Sequence, residues 1–178
     1  MPARHSTLQI VLHWTMAAVI AAAWLLGSLL EDLARGPDRA AGLGVHVLLG
    51  LGVLALLLPR LIARLAGPTL PPEPGETRWE HRLAAAAHLA LYALMLLVPL
   101  AGLATALSAR APVPVLGLFD LPNPLAGLGQ RKLFEGAHEL LANLLLGVVV
   151  LHVLATLYHA VIRRDGVAGR MIPWLHQP

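Results

Sequence analysis

The sequence predicts an all-α membrane protein built as a four-transmembrane-helix bundle, and three observations carry that prediction. The 178 residues are 57% hydrophobic and only 13% charged, with a mean hydropathy of +0.71; soluble domains are about one quarter charged. Aromatics make up 4% of the chain, so the apolar mass is Leu, Ala and Val, as suits helices in lipid. Asp, Glu, Lys and Arg are absent from residues 5–30, 40–59, 83–109 and 140–162, and each run reaches the roughly 20 apolar residues that a spanning helix needs. Helices are expected at about 6–30, 42–65, 82–108 and 136–163, in a single transmembrane domain covering 1–178.

The first run is too long for the apolar part of a cleavable signal peptide, carries His13 near its start, and is followed by acidic Glu31 and Asp32. A short polar loop with Gly36 and Pro37 leads to the second helix. Between the second and third, Pro68, Pro71, Pro72 and Pro74 exclude a continuous helix. The longest link precedes the fourth helix and holds Pro112, Pro114, Pro122 and Pro124. Its stretch Val115-Leu116-Gly117-Leu118-Phe119 is apolar but too short to span, and reads as an interfacial segment.

Charge and cysteine content exclude several chemistries. A net charge of +3 with no dense basic run gives no basis for nucleic-acid binding, despite a sequence pI near 10.2. The absence of Cys removes disulfides, thiolate metal sites, iron–sulfur clusters and covalently attached haem. The G-x-G pairs at Gly50/Gly52 and Gly127/Gly129 lack a strand–turn–helix setting, so no dinucleotide site is implied. Orientation follows the basic residues. Arg4, Arg60, Arg64, Arg78, Arg82, Arg163, Arg164 and Arg170 fall on one side; Arg35, Arg39, Arg110, Arg131 and Lys132 fall on the other. The richer side is expected to be cytoplasmic, which puts both termini inside. Trp14, Trp79 and Trp174 lie near the same helix ends, where indole suits the headgroup region.

The nine histidines are the anomaly, because an ionisable group inside a membrane is costly and marks a functional site by default. His5, His81 and His176 fall at or beyond span ends and read as interfacial or solvated. His138 and His152 are 14 residues apart on the fourth helix, about 21 Å along the axis and on nearly one face. Two axial ligands so placed suit two haems stacked across a bilayer. Depth then pairs His46 with His138 near the outer surface and His13 with His152 near the inner one, giving two complete sets of axial ligands for haem iron from four residues. Zinc fits less well, because the pairs are too far apart for one site and neither has an evident third ligand. A single buried histidine in a membrane helix commonly just hydrogen-bonds a neighbour; four at matched depths are harder to assign that way. Gly42, Gly50 and Gly52 around His46, Ala142 four residues after His138 and Ala155 three after His152 offer clearance for a flat macrocycle. His88 and His159 fall in the inner half near Arg78, Trp79 and Arg82. Imidazole can donate to a quinone carbonyl and relay a proton near neutral pH, so a quinone site is expected there; snorkelling to the interface is the competing reading.

Leu12-His13-Trp14, Val45-His46, Ala87-His88-Leu89 with Tyr92, the run His138-Glu139-Leu140-Leu141-Ala142-Asn143, Leu151-His152, His159 and Met171-Ile172-Pro173 follow one another in an order and spacing that resemble the bacterial cytochrome b561 family. The family is related to the b-type subunits of nickel–iron hydrogenases. The resemblance covers about residues 4–173. It implies bis-histidine ligation of two haems by His13, His46, His138 and His152. Within the family the likeness is to membrane superoxide oxidases, which implies oxidation of superoxide at the outer face and reduction of ubiquinone near the inner one. By the same likeness His88 and His159 would contact quinone with Trp79 nearby, and Arg131 and Lys132 could draw an anion toward the outer haem. The expected class is then a superoxide:quinone oxidoreductase of the respiratory chain. The alternative is an electron-carrying anchor subunit that relays electrons between a redox partner protein, a dehydrogenase or hydrogenase, and quinone. A non-redox membrane protein is the third reading.

Overall fold

A computed structural model describes residues 4–67, 70–71 and 75–172. Pro68, Pro72, Pro74, Pro173, Trp174 and His176, on which sequence expectations rested, lie outside the described residues. Four long helices dominate: α1 (Thr7–Asp32), α2 (Pro37–Ala66), α3 (Arg78–Leu107) and α4 (Arg131–Leu157), the last running into a π-helical turn at Tyr158–Arg163. All four are long and apolar enough to cross a membrane, and the chain is a multi-pass all-α bundle.

The helices outrun the uncharged stretches because charged residues are tolerated, and useful, in their end turns. Pro37 occupies the first turn of α2 beside Asp38, where a missing N–H costs nothing and a carboxylate faces the positive end of the helix. Ser6 and Gln9 close a capping box on α1, and Thr77 and Glu80 close one on α3. Each cap satisfies orphan N–H groups and is worth about 1 kcal/mol.

Successive helices pack side by side as α1 on α2, α2 on α3 and α3 on α4. They run antiparallel: Gly42 abuts Leu30 at one end, Gly67 abuts Gln9 at the other. Among the described residues α4 makes no comparable backbone approach to α1 or α2. A central layer of Met16, Val53, Met95 and Leu145, one side chain from each helix, holds the bundle at mid-height. Large apolar side chains point outward, Leu65 at 77% and Leu89 at 72% exposure among them, a surface that only lipid can cover.

The two ends of the bundle differ. At one end the stretch expected to lie in the interface forms an antiparallel hairpin, β1 (Val113–Val115) with β2 (Phe119–Leu121). Leu116 and Gly117 both take positive φ, 52° and 69°, and the Leu118 N–H donates to the Val115 carbonyl at 2.9 Å. That is the turn geometry whose twist suits a hairpin. Val115 is fully buried, and Gly44 lets the Pro114 carbonyl press on α2, since a side chain there would strike it. We call this the hairpin face. At the other end, the terminal face, the start of α1 meets the last described residues: the His5 N–H donates to the Arg170 carbonyl at 3.4 Å and Trp14 Nε1 to the Met171 carbonyl at 3.1 Å. Gln9, buried, donates to the Ala63 carbonyl at 3.0 Å and ties α1 to the end of α2.

Candidate functional site

Five of the nine histidines fall in two groups at different heights. Toward the hairpin face, the rings of His46 on α2 and His138 on α4 have centres 5.9 Å apart and planes at 87°. Toward the terminal face, His13 on α1 and His152 on α4 are 6.4 Å apart with planes at 51°, and His88 on α3 closes on His152 at 5.5 Å. Leu145 of the central layer lies seven residues from each of His138 and His152. Both pairs bridge helices whose backbones do not pack: α2 to α4, and α1 to α4. Two imidazoles on opposite sides of one metal, each nitrogen about 2 Å from it, hold their ring centres about 6 Å apart. Among the described residues no group of three or more His, Cys, Asp or Glu could hold a metal ion on its own. A metal at either pair therefore needs most of its coordination from another source, as iron receives from the four nitrogens of a porphyrin.

The hairpin-side rings are oriented by one device used twice. His46 Nδ1–H donates to the Ala23 carbonyl at 3.0 Å and His138 Nδ1–H to the Val98 carbonyl at 2.9 Å. Four residues on from each carbonyl stands a glycine, Gly27 and Gly102. Residues four apart share a helix face, so each glycine opens the path by which a ring reaches its carbonyl. A Cβ on Gly27 would sit 3.1 Å from the His46 ring, and one on Gly102 only 2.9 Å from the His138 ring. With the proton fixed on Nδ1, the lone pair of Nε2 is left free in both rings, the tautomer a metal ligand needs.

The glycines that make room are thus on the helices facing the rings. Of those flanking His46 in sequence, Gly42 accommodates Leu30, and a Cβ on Gly50 or Gly52 would meet Pro99 or Val19 only at ordinary contact distance. Clearance is needed at the tip of an imidazole, one helix away from its own backbone.

The terminal-side group is held differently. Arg60 Nη2 lies 2.9 Å from His13 Nδ1, and its guanidinium carbon stands 5.8 Å above the Tyr92 ring. His88 Nδ1–H donates to the Ala84 carbonyl of its own helix at 2.8 Å. Below it, His159 sits in the π-helical turn and donates through Nδ1 to the Asp165 carboxylate at 2.7 Å. The same carboxylate lies 3.5 Å from Arg163 Nε, and Arg163 Nη1 donates to Glu80 at 2.5 Å. This chain of charged groups joins the first turn of α3 to the end of α4. Trp79, adjacent to Glu80, is 69% exposed. Sequence reading brought His13, His46, His88, His138, His152 and His159 into consideration; Arg60, Asp165, Gly27, Gly102 and the two carbonyls escaped it, because each matters only through a partner on another element.

Comparisons with known proteins identify the family of the chain. A family profile described as prokaryotic cytochrome b561 matches residues 4–174. The chain is 27% identical to cytochrome b561 homolog 2 of Escherichia coli (strain K12), over 96% of this chain and 92% of that protein. It is 28% identical to the probable superoxide oxidase CybB of Yersinia pestis, over 96% of each, and 30% identical to cytochrome b562 of Cereibacter sphaeroides, over 94% of each. With a family profile spanning nearly its whole length and relatives that match end to end, this four-helix membrane protein with its paired histidines belongs to the prokaryotic cytochrome b561 family, whose members are electron-transfer proteins.

Proposed function

We propose that the chain is a dihaem superoxide:quinone oxidoreductase, with one b-type haem between His46 and His138 and a second between His13 and His152. The observation that carries this reading is the pair of ring separations near 6 Å, each spanning helices that otherwise stay apart. Haem bound at these levels supplies one-electron redox chemistry. The protein's part is to orient His46 and His138 through the Ala23 and Val98 carbonyls and to exclude water with the apolar central layer.

Two superoxide anions lose one electron each to become dioxygen, and one ubiquinone takes up two electrons and two protons to become quinol. Arg131 and Lys132, in the first turn of α4 at the hairpin face, add their charge to the positive end of the helix and draw an anion to that side. At the terminal face, His159 donates through Nδ1 to the Asp165 carboxylate; in its charged form, which that carboxylate stabilises, the ring donates Nε2–H to a quinone carbonyl, and the proton it gives up is replaced from water at that face. His88 and Trp79 complete this quinone site. The basic terminal face is cytoplasmic, so proton uptake is from inside and both termini face the cytoplasm of a bacterial inner membrane.

Reduced-minus-oxidised spectra of purified protein test the base of the proposal: b-type bands at two haems per chain are expected, and their absence overturns it. Quinone-dependent consumption of enzymatically generated superoxide tests the donor. If the haems are present but superoxide consumption does not exceed that of a haem-free variant, the donor assignment fails. Copurification with a soluble dehydrogenase or hydrogenase subunit would then make the chain that partner's electron-carrying anchor.

A further inference from the structure

Arg60 carries an inconsistency that the proposed function does not absorb. It lies in the last two turns of α2, where its Nε is buried without a hydrogen-bond partner. An orphaned donor on a buried cation is costly, and a guanidinium offers a planar fork that matches a carboxylate. Its Nη2 is spent on His13 Nδ1. A guanidinium has no acceptor, so Nδ1 accepts, and the neutral ring carries its proton on Nε2. That tautomer cannot present Nε2 to a metal. The hairpin-side rings have the opposite one, set by carbonyls at 3.0 and 2.9 Å. As it stands, the terminal-side pair has the right spacing and the wrong proton.

We propose that Arg60 is the carboxylate-binding arm of the terminal-side haem site. It turns from His13 to a propionate carboxylate of the porphyrin, pairs its fork with that anion, and releases His13 Nδ1. The proton then moves to Nδ1, leaving the Nε2 lone pair for iron. One exchange gives the orphaned Nε–H an acceptor and frees His13 Nε2 as a ligand. The inference rests on the haem reading above, and concerns a contact that reading leaves unassigned. Arg60 acts through the porphyrin edge and through His13, and is a positioning residue.

The test compares R60Q and R60K with wild-type protein, purified with haem bound, by haem count, redox titration and resonance Raman spectroscopy of the propionate bending bands. Loss of the cation leaves an unpaired negative charge at one porphyrin, which favours its ferric form. In R60Q, the expected result is a lower midpoint potential for one haem, an unchanged potential for the other, and a shifted propionate band. R60K keeps the charge but not the fork; it should restore the potential in part and leave the band shifted. Where R60Q does not accumulate, R60K carries the test through the band alone. Two haems at wild-type potentials with unshifted bands in both variants would overturn the assignment while leaving the dihaem reading intact. Wild-type protein without b-type haem overturns both.

Discussion

Two histidine pairs hang from the same helix fourteen residues apart, yet their surroundings are built on different principles. The hairpin-side pair is fixed by neutral groups: backbone carbonyls hold both Nδ1 protons, glycines clear the approach, and a buried hairpin strand closes that end of α2. Backbone carbonyls in a helix cannot move, so this tautomer is set on folding. The terminal-side pair is surrounded by side chains that can move and carry charge: Arg60 on His13, His88 on His152, and the Glu80–Arg163–Asp165–His159 chain below. A site that only passes electrons gains from rigidity. The proposed quinone site must also bind its substrate and deliver protons, which calls for groups that can exchange them, and His88, His159 and Asp165 stand together at the terminal end. The contrast divides the labour between the two faces.

The strongest test removes one support at a time. Replacing His138 by Ala should eliminate the hairpin-side haem and leave the other in place, so that a pyridine haemochromogen assay falls from two haems per chain to one. His152→Ala should do the reverse. Equal loss of both haems from either variant would break the claim that the pairs are independent.

Next in size is the proton chemistry. His159→Ala removes the ring held by Asp165 and should slow quinone reduction by about 100-fold, in the range of a lost general acid, with both haem spectra unchanged. Asp165→Asn keeps the ring but not the countercharge, and should give a smaller loss in the same assay. If His159→Ala instead alters a haem spectrum and spares the quinone rate, the terminal face is not divided from the haem site as described.

The glycines sharpen the same comparison at lower cost. A Cβ on Gly102 would come within 2.9 Å of the His138 ring, and overpacking of this kind costs about 1–3 kcal/mol. Gly102→Ala should therefore weaken retention of the hairpin-side haem by about fivefold or more in a haem-transfer assay. Gly27→Ala, whose Cβ would stand 3.1 Å from the His46 ring, should be milder, because the ring there has to give by only a few tenths of an ångström. An effect confined to the terminal-side haem would contradict the placement of both glycines.

How much of this could be read from sequence follows from what each feature depends on. The four spans were legible because absence of charge over some twenty residues is a property of one segment. The depth of the histidines was legible because helical rise is uniform, so residue number converts to height. The hairpin was not, since Val113 to Leu121 is too short for periodicity to tell strand from interfacial coil. What decides it is Leu116 and Gly117 at positive φ and Gly44 on another helix. The π-helical turn at Tyr158–Arg163 has no sequence signature at all. Arg60 looked like one more basic residue at a membrane end, and only the fold shows its guanidinium against His13 rather than in the headgroups. In each case the missed feature is a relation between segments. The nearest thing to a signal was a carbonyl-bearing residue followed four later by glycine, which helices use too often to be read alone.

The smallest expected effect concerns pH, and it too should separate the faces. His5 precedes α1, with Nδ1 buried and unpartnered. Burial pushes its pKa below the ordinary 6.5; the charges of Arg64 and Arg170 push the same way, against a hydrogen bond with Gln9 that raises it. A folded-state pKa below the unfolded one means that the folded chain prefers the neutral ring. Its stabilising contribution is complete above about 6.5 and declines as pH falls through the lowered folded value, because the unfolded chain binds more protons in that window. Hydrogen exchange of residues 4–10 should therefore quicken as pH drops from about 7.5 to about 5.5, after correction for intrinsic rates, whereas residues 113–121 of the hairpin should not change. His5→Gln keeps a neutral side chain at every pH and should flatten the first response. A hairpin that loosens in step with the amino-terminal segment would show that acid acts on the bundle as a whole, and that the titratable end is not the separable one.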